Sequence, residues 1–69
     1  MATRTRETLK VLRARTELTQ DELAKRASLS TRTIILFEKD VNNLRKAKYE
    51  TLQRLAGALG VEVDDIFLG

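Results

Sequence analysis

Sixty-nine residues are enough for one small domain, which we expect to span residues 1–69. Cysteine and histidine are both absent, which excludes a disulfide framework, a thiol nucleophile and the side chain that most often acts as general base or metal ligand. The net charge is +3, proline is absent, and good helix formers are abundant, so the composition favours an all-α protein.

The first two predicted helices cover residues 4–15 and 19–27. Thr3 is the expected cap of the first helix, and leucines at 9 and 12 supply part of its narrow apolar stripe. The second helix starts with Thr19-Gln20-Asp21-Glu22, which is typical of a capping box with acidic residues in the first turn. We expect the inner face of the second helix to consist of Leu23, Ala24 and Ala27.

A third helix is predicted over residues 31–39, with Ser30 as its cap. Ile34 and Phe37 are three residues apart and should point inward. Only Ser28-Leu29 separates the second helix from this cap, and a short turn between two amphipathic helices is the geometry of a helix-turn-helix.

The remaining chain is predicted as a polar loop followed by two helices. Residues 40–46 should form the loop, with Asn42-Asn43 as its turn signal. A fourth helix is expected over 48–59, ending at Gly60, and a short fifth helix over 63–67. Ile66 and Phe67 should close the core.

The charge is concentrated in the first part of the chain. Residues 1–48 contain twelve basic and six acidic side chains, a net charge of +6, whereas residues 49–69 contain one basic and four acidic, a net charge of −3. A basic surface for a polyanion explains this distribution, and so does an ordinary solvated helix surface. No apolar run approaches the roughly 18 residues of a membrane span, and the N-terminus lacks the apolar stretch of a secretory signal, so we expect no membrane contact and a cytoplasmic location.

Several of these motifs together resemble the lambda repressor/Cro-like (XRE-type) helix-turn-helix family. The segments that carry the resemblance, in chain order, are Thr19-Gln20-Asp21-Glu22-Leu23-Ala24, Leu29-Ser30-Thr31-Arg32-Thr33-Ile34, Phe37-Glu38-Lys39, Thr51-Leu52, Leu55-Ala56 and Ala58-Leu59-Gly60-Val61. The resemblance implies a compact five-helix DNA-binding domain that usually acts as a dimer on a two-fold symmetric, palindromic operator. Ser28 stands where glycine is common in the family, so either its backbone is left-handed or the turn differs; Asp40 replaces another frequent glycine, in a connection longer than usual.

In a helix-turn-helix the second helix lies in the major groove, which directs the N-terminal part of residues 31–39 to base edges. We expect base contacts from four residues, namely Thr31, Arg32, Ile35 and Leu36. Thr31 could contact a phosphate through its hydroxyl or a thymine through its methyl, with a purely structural role in the first turn as the alternative. Arg32 can bind guanine O6 and N7 together, although a phosphate contact or simple exposure is the alternative. Ile35 and Leu36 have three interpretations: they contact thymine methyl groups, they form a patch that binds another protein, or the following loop buries them.

The resemblance also implies phosphate contacts and one internal ion pair. The expected phosphate contacts are Gln20, Thr33, Asn42, Asn43, Arg45, Lys46 and Lys48, with an ordinary solvated surface as the alternative for each. By family position, Arg13 and Glu38 form a structural ion pair between the first and third helices.

The leading functional hypothesis is a sequence-specific regulator of transcription that binds double-stranded DNA, in particular a repressor of phage or mobile-element type. It would be encoded by a bacterium or phage and act at the nucleoid. The alternative is a protein-interaction module with a protein partner, or an antitoxin or restriction–modification controller, that has the same fold. We expect neither cofactor nor metal, and no enzymatic activity, because no spacing assembles the available carboxylates, hydroxyls and lysines into a catalytic site.

Overall fold

Helices account for nearly all the regular structure of the protein. The computed structural model describes residues 6–69, and within this range it contains no strand beyond one isolated parallel bridge between Glu7 and Ile66. The elements are α1 Leu9–Arg15, α2 Gln20–Ala27, α3 Thr31–Lys39, α4 Val41–Arg45, α5 Tyr49–Leu59 and a 3-10 turn over Val63–Asp65. The predicted all-α class is therefore confirmed; α1, α2, α3 and α5 correspond to predicted helices, whereas α4 was not predicted and the fifth predicted helix is a 3-10 turn. None of the helices in 6–69 could cross a bilayer.

The first helix begins later than predicted. Thr8 is its N-cap, with a hydroxyl that accepts from the backbone N–H of Val11 at 3.3 Å. Glu7 does not continue the helix, because its N–H donates to the Asp65 carbonyl at 3.0 Å and its carbonyl accepts from the Phe67 N–H at 2.7 Å. A helix that starts at residue 4 is therefore wrong for residues 6–8, and the predicted cap Thr3 lies outside the described residues.

The second helix begins with the capping box that the sequence predicts. The Thr19 hydroxyl accepts from the Glu22 N–H at 3.1 Å, and the Glu22 carboxylate accepts from the Thr19 N–H at 2.8 Å. The backbone N–H of Thr19, and then its hydroxyl, lower the pKa of the Glu22 carboxyl below its ordinary value. Two donors at the helix start are thereby satisfied, so the first residue of α2 is fixed by local chemistry.

Ser28 makes the turn between α2 and α3 in a left-handed conformation. Its φ is 58° and its ψ 41°, and the following Leu29 N–H donates to the Ala24 carbonyl at 2.8 Å. Leu29 packs against the core, and Ser30 then caps α3 through its Oγ, which accepts from the Thr33 N–H at 3.1 Å. Of the two alternatives for Ser28, a left-handed backbone or a different turn, the structure has the left-handed backbone.

Replacing Ser28 with glycine is expected to raise the free energy of unfolding by about 0.5–1 kcal/mol. Relief of the steric strain of the left-handed backbone should exceed the extra conformational entropy that glycine loses on folding. Urea denaturation measures this change. Ser28→Ala is the control, since it keeps the Cβ that causes the strain. Equal stability of the glycine and alanine variants would contradict the explanation.

The segment predicted as a polar loop contains α4. Asp40 has an extended backbone, with φ −146° and ψ 119°, and its carboxylate accepts from the Asn42 N–H at 2.9 Å. The predicted loop over residues 40–46 is therefore wrong. Asp40 acts as an N-cap, and the apolar Leu44 anchors the short helix because it is 1% exposed.

The C-terminal part is more extended than predicted. Gly60 ends α5 with φ 72°, the left-handed cap expected there. The fifth helix predicted over 63–67 is only one 3-10 turn, because the chain then pairs with Glu7. Ile66 is buried in the core as predicted, but Phe67 is 39% exposed and does not close it.

The core lies between α2, α3 and α5 and is covered by the shorter elements. It is entirely apolar among the described residues. Its fully buried large side chains are Leu23, Ile34, Leu44, Leu55 and Ile66. Each long helix contributes one of them, so the packing fixes α3 on the surface of the domain with one face inward.

Candidate nucleic-acid interface

Four side chains form the outward face of α3, which we call the α3 face: Arg32, Ile35, Leu36 and Lys39. They are spaced i, i+3, i+4 and i+7 along the helix and all are exposed, whereas Ile34 is fully buried on the other side. Three of the four residues predicted for base contact therefore share one surface. Lys39 was not predicted, although its spacing of seven residues from Arg32 is the signal that places it there.

Arg32 lies at the start of the α3 face and is free to bind. Among the described residues, none makes a hydrogen bond or ion pair with its guanidinium, which is exposed to solvent. Ile35 is 45% and Leu36 40% exposed, so the longer connection that follows α3 does not bury them. The burial alternative for these two aliphatic residues is thus wrong.

Thr31, the first residue of α3, is tied to α2 through Asp21. The Thr31 hydroxyl donates to Asp21 Oδ1 at 2.8 Å, and the Lys25 ammonium lies 3.3 Å from Asp21 Oδ2. The Thr31 hydroxyl, followed by Lys25, lowers the pKa of the Asp21 carboxyl below its ordinary value. The sequence assigned Asp21 only to the helix dipole, since nothing in its spacing indicates a contact with Thr31.

Thr33 is occupied by the cap of its own helix. Its hydroxyl lies 2.9 Å from Ser30 Oγ, and its backbone N–H donates to the same oxygen. The side chain is partly buried, whereas Arg32 beside it is exposed. The predicted phosphate contact of Thr33 would therefore have to share a hydroxyl that already stabilises the helix start.

Three of the predicted residues meet in one polar cluster, which we call the Glu38 cluster: Arg13, Gln20 and Glu38. Arg13 donates from Nε to Glu38 Oε2 at 2.6 Å and from Nη2 to Oε1 at 3.2 Å. Gln20 Nε2 donates to Glu38 Oε1 at 3.0 Å, and Arg13 Nη1 donates to the Leu18 carbonyl at 2.9 Å. The cluster joins α1 and the start of α2 to the end of α3.

The predicted phosphate contacts around α4 divide into two kinds. Asn43 Nδ2 donates to the Leu36 carbonyl at 2.9 Å, and the Asn42 side chain accepts from the Arg45 guanidinium. These three residues therefore hold α4 together and attach it to α3. Lys46 and Lys48 are exposed, and among the described residues they have no hydrogen-bond or ion-pair partner.

Comparison with known proteins agrees with this geometry. A protein-family model described as helix-turn-helix matches residues 9–66, from the start of α1 to the last core residue. Neither the curated proteins nor the solved structures gave a match. The match covers most of the chain and the α2–turn–α3 unit lies inside it. The chain belongs to the lambda repressor/Cro-like (XRE-type) helix-turn-helix family, whose members regulate transcription by binding double-stranded DNA.

Proposed function

We propose that this protein is a repressor of the phage or mobile-element type, which binds its operator with α3 in the major groove. The observation that carries the proposal is the α3 face, where the Arg32 guanidinium, which has no partner within residues 6–69, and two aliphatic side chains are exposed together on the second helix of the motif. Two copies on a palindromic operator would place their α3 helices about 34 Å apart. Occupancy would then block polymerase on DNA in the cytoplasm.

In this proposal the bases are read by Thr31, by the charged side chain of Arg32 and by two apolar side chains. Arg32 would bind guanine O6 and N7 through its planar fork, a contact that contributes about 1–3 kcal/mol of discrimination. Ile35 and Leu36 would contact thymine methyl groups, because an aliphatic side chain in the major groove has no other specific partner. The expected operator therefore contains guanine next to thymine-rich positions.

Phosphate contacts would flank the α3 face. Lys46 and Lys48 are the strongest candidates, because both ammonium groups are exposed and neither has a partner among residues 6–69. Lys39 adds a third cation at the end of α3. Gln20, Thr33, Asn42, Asn43 and Arg45 remain candidates that would bind phosphate while keeping their internal hydrogen bonds.

Salt titration of binding to a random-sequence duplex tests the electrostatic part of the proposal. Each phosphate contact contributes about 0.9 to the slope of log K against log salt, so Lys46→Ala and Lys48→Ala should each reduce the slope by about that amount. Lys10→Ala on α1 is the control and should leave the slope unchanged. Unchanged slopes in both test variants would remove these lysines from the interface.

A protein-interaction module is the second candidate, and the exposure of Ile35 and Leu36 is the observation that favours it. An antitoxin or restriction–modification controller would combine such a contact with DNA binding. An apolar interface hardly responds to salt, whereas DNA binding through several phosphates weakens steeply. Absence of binding to any duplex at low salt would leave the interaction module as the better proposal.

A further inference from the structure

We infer that Asp21 is a specificity-determining residue, which orients the Thr31 hydroxyl so that Thr31 selects adenine or cytosine on the DNA strand it contacts. The inference rests on the proposed function, because it requires α3 to lie in the major groove. It assigns a role to a residue of α2 that is outside the α3 face.

The hydrogen bond between the two side chains fixes which way the hydroxyl points. A threonine hydroxyl has one proton and two acceptor lone pairs, and an ionised carboxylate can only accept. Thr31 Oγ1 lies 2.8 Å from Asp21 Oδ1, so its single proton is directed to Asp21. The oxygen of Thr31 is then left with acceptor capacity only.

An acceptor in the major groove distinguishes between bases. Adenine presents the N6 amino group and cytosine the N4 amino group, whereas guanine presents N7 and O6 and thymine presents O4, which are all acceptors. The Thr31 oxygen can accept a hydrogen bond from either amino group. At guanine or thymine it would meet another acceptor, so no hydrogen bond could form. The same reasoning excludes donation from Thr31 to a phosphate oxygen while the bond to Asp21 is kept.

The position of Asp21 supports a role in readout. Its carboxylate is exposed at the start of α2, beside the first residue of the proposed recognition helix, where a negative charge repels DNA phosphates. Its second oxygen pairs with Lys25 at 3.3 Å, which offsets part of that repulsion. A residue that only attached α2 to α3 would affect stability without affecting the choice of base.

Selection of bound sequences from random duplexes, with wild type and with four variants, tests the inference. Wild type should favour adenine or cytosine at one position of each half-site. Thr31→Val should lose that preference, whereas Thr31→Ser, which keeps the hydroxyl, should retain it. Asp21→Ala frees the proton and should enrich guanine and thymine there by about fivefold, the value of one hydrogen bond. Asp21→Asn removes the negative charge beside the DNA, so affinity for all sequences should rise.

Two controls separate the possible failures. Asp64→Asn removes a carboxylate charge from the 3-10 turn and should leave the base preference unchanged, and far-UV circular dichroism establishes that each variant is folded. If Asp21→Ala leaves the selected motif identical to that of wild type, the inference is wrong but the proposed function stands. If wild type selects no motif and binds no duplex at low salt, the proposed function fails, and the inference with it.

Discussion

Replacing Arg32 with alanine should remove the preference for guanine at one position of each half-site. The loss of a two-pronged guanine contact costs about 1–3 kcal/mol, so affinity for the best site should fall by between about fivefold and 150-fold. Binding to sites that already lack this guanine should hardly change. Selection from random duplexes, followed by titration of the selected site and of a single-base variant, measures both quantities.

Two matched variants control for charge. Arg32→Lys keeps the positive charge but not the planar fork, so it should lose the guanine preference while retaining most of the non-specific affinity. Arg26→Ala removes an exposed arginine from α2 that we do not place at the bases. A selected motif that is the same for Arg32→Ala and wild type would exclude Arg32 from readout and leave the aliphatic residues of the α3 face as the readers.

Replacing Glu38 with alanine should lower the free energy of unfolding by about 3 kcal/mol, because it leaves the Arg13 guanidinium without its carboxylate. The side chains are mostly removed from solvent, with 17% of Arg13 and 7% of Glu38 exposed. Gln20 also loses an acceptor in this variant. A domain of this size is only marginally stable, so the loss should be plain in urea denaturation.

Glu50→Ala is the matched control for Glu38→Ala. Glu50 pairs with Arg54 within α5 at 3.4 Å, and both side chains are well exposed, so this loss should cost no more than about 0.5 kcal/mol. Replacing the cluster pair together, Arg13→Met with Glu38→Leu, should recover most of the stability, because no charge is then left buried without a partner. If Glu38→Ala costs as little as Glu50→Ala, the Glu38 cluster does not hold α3 in place.

The helices that the sequence predicted well are those whose boundaries depend on local chemistry. The capping box of α2 joins residues three apart, and Ser30 caps α3 through a contact of the same range. Gly60 likewise ends α5 by a backbone preference of its own. The apolar positions that face the core, such as Ile34, follow directly from the helical period.

The errors occur where contacts distant in sequence outweigh local preference. Glu7 pairs with the chain near Ile66, which delays the start of the first helix and shortens the predicted fifth helix to one 3-10 turn. In α4, five residues are too few to show a helical period, and burial of Leu44 outweighed the turn preference of the two asparagines.

For the candidate site, the amino-acid sequence by itself determined the family, through motifs along the chain, and the second helix of the motif, through local capping and helical spacing; the exposure of Ile35 and Leu36 was decided by the structure. Only the tertiary structure decided which polar groups are already engaged: Gln20 with Glu38, Asn43 with the end of α3, and Thr31 with Asp21. Hydrogen bonds between helices depend on how those helices pack, and packing is set by the whole core rather than by any one segment.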